Sequence, residues 1–119
     1  MIVGIGIDIA EIARIEKNMG NGNFMRRIFG ERELESLKTA QSFAAAFAAK
    51  EAFGKALGLG LSGFDLVDVQ LLRKETGAPY LALSGKAAKL GEGFEFLVSV
   101  THEAGVAAAV IFAQKEDIK

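Results

Sequence analysis

Apolar and polar positions alternate from the first residues of the chain. Over Ile2–Ile9, Val3, Ile5, Ile7 and Ile9 fall on one face and Ile2, Gly4, Gly6 and Asp8 on the other. That period of two predicts a strand with one greasy face. Its second face is stripped by two glycines, as expected where another backbone or a ligand comes close. Residues Glu11 to Asn18 read as a short helix carrying Ile12, Arg14 and Ile15. A turn at Gly20-Asn21-Gly22-Asn23 precedes a helical piece over Phe24–Phe29, and Glu31–Leu37 adds a further turn or two. From about Ala40 to Leu57 the chain is almost all Ala, Phe, Lys and Glu, strong helix formers for the most part, which predicts the longest helix. Gly58 supplies a left-handed C-cap.

The second half reads mainly as strands. Gly58 to Gly63 is a loop, and Val67–Leu72 and Pro79–Leu83 form a hairpin around Lys74-Glu75-Thr76-Gly77. Ser84 is placed to cap a helix through Leu90. Phe94–Thr101 puts Phe94, Phe96, Val98, Val100 and His102 on one side, and Val106–Ala113 follows the turn Glu103-Ala104-Gly105 as the most apolar strand. Gln114 to Lys119 reads as a polar, frayed tail. This order predicts an α+β fold: a single domain over residues 1–119, with one long central helix packed on a mainly antiparallel sheet. So few helices cannot cover both faces of such apolar strands, so part of the sheet is expected to bury itself against other subunits.

Composition narrows the function classes. The 119 residues are 50% hydrophobic and 24% charged, as in an ordinary globular domain. A net charge of −1 lacks the basic excess of a nucleic-acid protein. With no cysteine and one histidine there is no thiol nucleophile and no multi-histidine metal cluster. No apolar run approaches the roughly 18 residues of a membrane span, and no basic leader marks a signal peptide. These features predict a cytoplasmic protein with no membrane partner.

Several residues carry chemistry, each beside an ordinary structural reading. Glu51 and Lys55 are four apart on the long helix, an i, i+4 pair among small apolar residues with Phe47 a turn earlier. Asp8 and Glu11 fit an Asp-x-x-Glu helix cap, but Asp8 also stands beside the bare Gly4/Gly6 face, where a buried carboxylate needs a partner. His102 suits a hydrogen-bonded sheet end. Arg14, Arg26 and Arg27 suit either a solvated face or docking of an acidic protein. Gly58-x-Gly60-x-x-Gly63 matches a dinucleotide fingerprint by letter only, since it closes a helix instead of opening one. Taken together, Asp8 and Glu51 suit a hard, oxygen-loving cation such as Mg²⁺, and Lys55 suits a phosphate beside it.

Four motifs in order then bear a resemblance. Gly4-Ile5-Gly6-Ile7-Asp8-Ile9, the run Phe47-Ala48-Ala49-Lys50-Glu51-Ala52 with Lys55, Gly77-Ala78-Pro79-Tyr80, and Val98-Ser99-Val100-Thr101-His102 together resemble the holo-[acyl-carrier-protein] synthases. These are the small, homotrimeric branch of the 4′-phosphopantetheinyl transferases. The resemblance implies Mg²⁺-dependent transfer of 4′-phosphopantetheine from coenzyme A to a serine of an acyl carrier protein, releasing adenosine 3′,5′-bisphosphate, in fatty acid biosynthesis. It implies Asp8 and Glu51 as metal ligands and Lys55 at the coenzyme A diphosphate. Gly58, Gly60, Pro79, Thr101 and His102 would line a coenzyme A cleft shared between neighbouring subunits, and Arg14, Arg26 and Arg27 would hold the carrier. Two positions depart from the pattern: Ala46 stands where the family commonly has arginine, and Ala78 where it often has lysine. The connection before the long helix is also shorter than usual. Competing readings are an idle trimeric binding module of the same fold and a Mg²⁺-dependent phosphohydrolase.

Overall fold

A helix that is apolar on nearly every side must be enclosed, and this one is. In the computed structural model, which describes residues 1–116, α4 (Ala40–Ala56) buries Phe43, Ala44, Ala45, Ala46, Ala48, Ala49, Ala52 and Phe53. Thr39 caps its start by accepting a hydrogen bond from the Ser42 amide at 3.1 Å. Its end is a Schellman motif: the Gly58 amide donates to Lys55 O at 3.0 Å, the Leu59 amide to Gly54 O at 2.8 Å, and Gly58 has φ +75°.

Around α4 the chain runs β1 (Ile2–Glu11), α1 (Ile12–Glu16), α2 (Gly22–Ile28) and α3 (Glu31–Ser36) before it, then β2 (Val69–Arg73), β3 (Pro79–Leu83), α5 (Gly85–Leu90), β4 (Phe94–Glu103) and β5 (Val106–Lys115) after it. All pairing is antiparallel, as expected, but the strands divide into a β1-β5-β4 sheet and a separate β2-β3 hairpin. The element types match the sequence reading, and several boundaries shift for visible reasons. Asn18 folds back to donate to Arg14 O at 2.8 Å, so α1 closes before it. Asn21 accepts from the Phe24 amide at 3.2 Å and starts α2 two residues early. Leu66–Asp68 forms a single 3-10 turn, which delays β2 to Val69. Ala104 and Gly105 both have positive φ, a two-residue hairpin turn that lets β4 and β5 pair to their ends. Gln114 and Lys115 therefore belong to β5, not to a frayed tail, and residues 117–119 lie outside the described part.

The two faces of β1 have opposite fates. The glycine face turns inward beneath α4, where a methyl group on Gly4 would overlap the Ala56 carbonyl and one on Gly6 the Ala52 carbonyl. Ala107, Ala109 and Ala113 of β5 continue that small-residue surface, with Ile111 packed between them, and all four are buried. Small side chains let helix and sheet backbones approach closely, which is what carries Asp8 up to α4. The greasy face points outward: Ile5, Ile7 and Ile9 keep 58%, 63% and 61% of their surface exposed. Gly6→Ala should consequently force α4 off the sheet and cost about 3 kcal/mol, the upper end of ordinary overpacking, read as a lower urea midpoint.

Candidate metal and phosphate site

Alternation along β1 places Gly4, Gly6, Asp8 and Ala10 on the side facing α4, and a helical spacing of four places Phe47, Glu51 and Lys55 on one stripe of that helix. The two sets meet. Lys55 Nζ lies 3.4 Å from Asp8 Oδ1 and donates to Ile7 O at 3.1 Å. The Lys55 partner is thus across the interface on β1, and the ordinary i, i+4 pair with Glu51 is not formed among the described residues. Nor does Asp8 cap a helix: it sits inside β1, and the residue preceding α1 is Glu11, whose side chain makes no capping hydrogen bond.

Glu51 is half-buried against Asp8. Desolvation first, then a hydrogen bond with Asp8 and that carboxylate's charge, push the Glu51 carboxyl up to about 7, while Lys55 and Arg14 pull the other way. Beside the pair opens a cleft of about 270 Å³ lined by Asp8, Glu11, Arg14, Phe47 and Glu51 among others. Arg14 reaches across it with its guanidinium 5.8 Å from the Phe47 ring centre.

Asp8 and Glu51 thus bring two oxygen donors close together, one of them held above its ordinary titration range. No group of three or more His, Cys, Asp or Glu side chains gathers among the described residues. The donor set still fits Mg²⁺, which keeps several waters and takes only one or two carboxylates, leaving places for substrate phosphates. The strain also predicts a pH signature. Because the folded-state value of Glu51 lies above its ordinary 4.5, the folded chain holds this proton more tightly than the unfolded chain. The contribution is complete below about 4.5 and is lost as pH rises through about 7. Without metal, the melting temperature of the native chain should fall across that window relative to Glu51→Gln, a difference that scanning calorimetry reads directly.

The remaining residues are distributed around this cluster. Gly58 and Gly60, with φ +75° and +62°, shape the loop that leaves α4 just after Lys55. Asp8 pairs with Ala109, which pairs with Val100, so Thr101 lies on the opposite face of the sheet from Asp8. His102 shares the Asp8 side but stands two strands away, paired through Ala107 with Ala10. Pro79 opens β3 in the separate hairpin. One copy of the chain therefore does not bring Pro79, Thr101 or His102 to the carboxylates. Arg26 and Arg27 are exposed on α2, and Arg26 rims an apolar cleft with Met25, Phe43 and Lys38.

Sequence reasoning passed over one pair. Lys50, next to Glu51 but turned the other way, is fully buried and donates to Glu33 Oε1 at 2.6 Å, Leu66 O at 3.1 Å and Val69 O at 2.5 Å. Glu33 in turn accepts from the amides of Gly30 and Leu71, each at 2.9 Å. The available signal was a lysine amid alanines on a helix that is apolar on all sides, where an unpaired charge could not stay.

Residues 4–111 match the model of the 4′-phosphopantetheinyl transferase superfamily. The chain is similar to the holo-[acyl-carrier-protein] synthase of Treponema denticola, with 43% identity covering 96% of this chain and 99% of that one. The fold superposes on the holo-[acyl-carrier-protein] synthase of Neisseria meningitidis with a TM-score of 0.85 at 31% identity, covering 97% and 100% of the two chains. It also superposes on the Bacillus anthracis synthase in complex with CoA (3′,5′-ADP), with a TM-score of 0.81 at 34% identity, covering 98% and 99%.

Proposed function

The chain belongs to the holo-[acyl-carrier-protein] synthase branch of the 4′-phosphopantetheinyl transferase superfamily, and from that premise we propose that Asp8, Glu51 and Lys55 form its reaction centre. As a member it is an enzyme that moves phosphopantetheine from coenzyme A to acyl carrier protein. The observation that supports this centre is the meeting of Asp8 with the Glu51–Lys55 stripe at the edge of an open cleft.

In this reading residues 1–119 act as one transferase domain in the cytoplasm, within fatty acid biosynthesis. The carrier serine oxygen attacks the phosphorus that bears pantetheine. The bond from that phosphorus to the bridging oxygen breaks, and adenosine 3′,5′-bisphosphate leaves. Asp8 and Glu51 hold Mg²⁺, which when bound supplies charge neutralisation for the diphosphate. Lys55, half-exposed and tethered by Ile7 O and Asp8, swings its ammonium to the leaving oxygens. Glu51 takes the serine proton through a water. Since the nucleophile belongs to the carrier, the chain needs only to position and to neutralise charge.

The other residues complete the cleft. Gly58, Gly60, Pro79, Thr101 and His102 line the coenzyme A path, with Thr101 delivered by a neighbouring copy. The outward face of β1, with Ile5, Ile7 and Ile9 exposed, supports assembly as a homotrimer, because so large an apolar patch calls for a partner. Arg14, Arg26 and Arg27 receive the acidic carrier. These exposed arginines on α1 and α2 favour a protein acceptor over plain water hydrolysis.

The test incubates the chain with coenzyme A, Mg²⁺ and several apo-carriers and weighs each carrier. A gain of one phosphopantetheine, lost on chelation, is the expected result, and no gain on any carrier overturns the reading. Sedimentation at a trimer's mass supports the shared cleft, and a monomer at assay concentration contradicts it.

A further inference from the structure

A second cleft, of about 240 Å³, lies between α3 and the β2–β3 hairpin, lined by Arg32, Ser36, Leu37, Leu72, Arg73 and Tyr80. None of these residues belongs to the elements that carry Asp8 and Glu51. Its walls hold two guanidinium groups and a phenol, and no carboxylate lines it. Arg32 Nη2 donates to the Tyr80 hydroxyl at 3.4 Å, which leaves the phenolic proton free to donate onward. Arg73 Nη1 donates to Gly77 O at 2.9 Å, which holds its side chain against the hairpin turn. The Ser36 hydroxyl is already committed to Arg32 O at 2.7 Å.

The arrangement is charged without compensation. Neither guanidinium pairs with a carboxylate among the described residues, although Glu31, Glu35 and Glu75 stand close in sequence. Each guanidinium carries five N–H donors, most of them still unused here. Two forks facing one cleft repel each other until an anion bridges them, and arginine forks match phosphate oxygens two at a time. Buried Leu72 and half-buried Leu37 give the cleft an apolar floor.

We propose that this cleft binds the phosphate monoester of a small organic ligand. Arg32 and Arg73 grip the phosphate from two sides, the Tyr80 hydroxyl donates a further hydrogen bond, and the leucines cover the adjoining carbons. Two sources carry this chemistry: the 3′-phosphate of coenzyme A, which rests on the transferase reading above, and a separate phosphorylated metabolite, which does not.

Tyr80 makes the test direct. It is the chain's one tyrosine and there is no tryptophan, so the intrinsic emission reports on this cleft. Titration of the intact protein with glycerol 3-phosphate, at constant ionic strength, should give a saturable change in that emission. Arg32→Gln and Arg73→Gln should each weaken it at least 10-fold while leaving the unfolding midpoint unchanged, since both side chains are exposed. The same change produced by chloride alone, or an unaltered titration in both variants, overturns the proposal. None of this requires turnover, so it stands or falls apart from the transferase reading. A second arm compares KM for coenzyme A with KM for the form lacking the 3′-phosphate. If both variants raise only the former, the phosphate is that of coenzyme A. If neither moves while the titration is lost, the ligand is separate.

Discussion

Replacing Lys50 with methionine is expected to destabilise the fold by about 3–5 kcal/mol, the cost of stranding one partner of a buried ion pair. The substitution keeps volume and apolar reach but removes the ammonium that pairs with Glu33, whose side chain is wholly enclosed. Three hydrogen bonds go with it, to Glu33, Leu66 O and Val69 O, and two of the freed acceptors are backbone carbonyls. Burial holds the Lys50 pKa below its ordinary 10.5, against the pull of Glu33. Urea unfolding of Lys50→Met, Glu33→Leu and the double variant separates the terms. The double variant should recover much of the loss, because two apolar side chains of similar size leave no charge unpaired. A double variant as unstable as the sum of the singles would show that the pair's backbone contacts, and not its charges, dominate.

This pair also marks where the sequence stopped being legible. Helix α4, the five strands and the hairpins followed from period and propensity, because each depends on neighbours within a few residues. The Glu33–Lys50 link spans 17 residues and exists only once α3 and β2 have closed on α4. Nothing local distinguishes Lys50 from Glu51, yet the helix turns one into the core and the other toward the cleft. β1 was more legible: its bare Gly4/Gly6 face marked the side that another backbone would approach, and α4 lies there with the isoleucines left outside.

The candidate cluster was readable for a related reason. Asp8, Glu51 and Lys55 each break an apolar pattern, and a charge placed where burial is expected advertises a purpose. Their ordinary explanations, a helix cap and an i, i+4 pair, are testable local geometries, and the structure forms neither. Thr101 and Pro79 could be assigned by resemblance alone, since they reach the carboxylates in no single copy of the chain.

Glu51→Gln should act in opposite directions on stability and on catalysis. In the metal-free chain near neutral pH it should raise the melting temperature, because the amide removes the carboxylate that burial and Asp8 already disfavour. Transfer to an apo-carrier, followed in single turnover at saturating coenzyme A, should fall on the order of 10²–10³-fold, the usual loss when one preorganised electrostatic partner of a transition state is removed. Asp8→Asn should cost a similar factor. If both side chains serve one cation, the double variant should be scarcely worse than either single variant, since the second substitution removes a ligand from a site already lost. Multiplying losses would instead assign the two carboxylates to separate tasks. Full activity in Glu51→Gln would remove it from the metal site altogether. A gain in stability coupled to a loss in rate is what distinguishes a residue kept under strain for chemistry from one that supports the fold, and Lys50, one position away, should show the reverse.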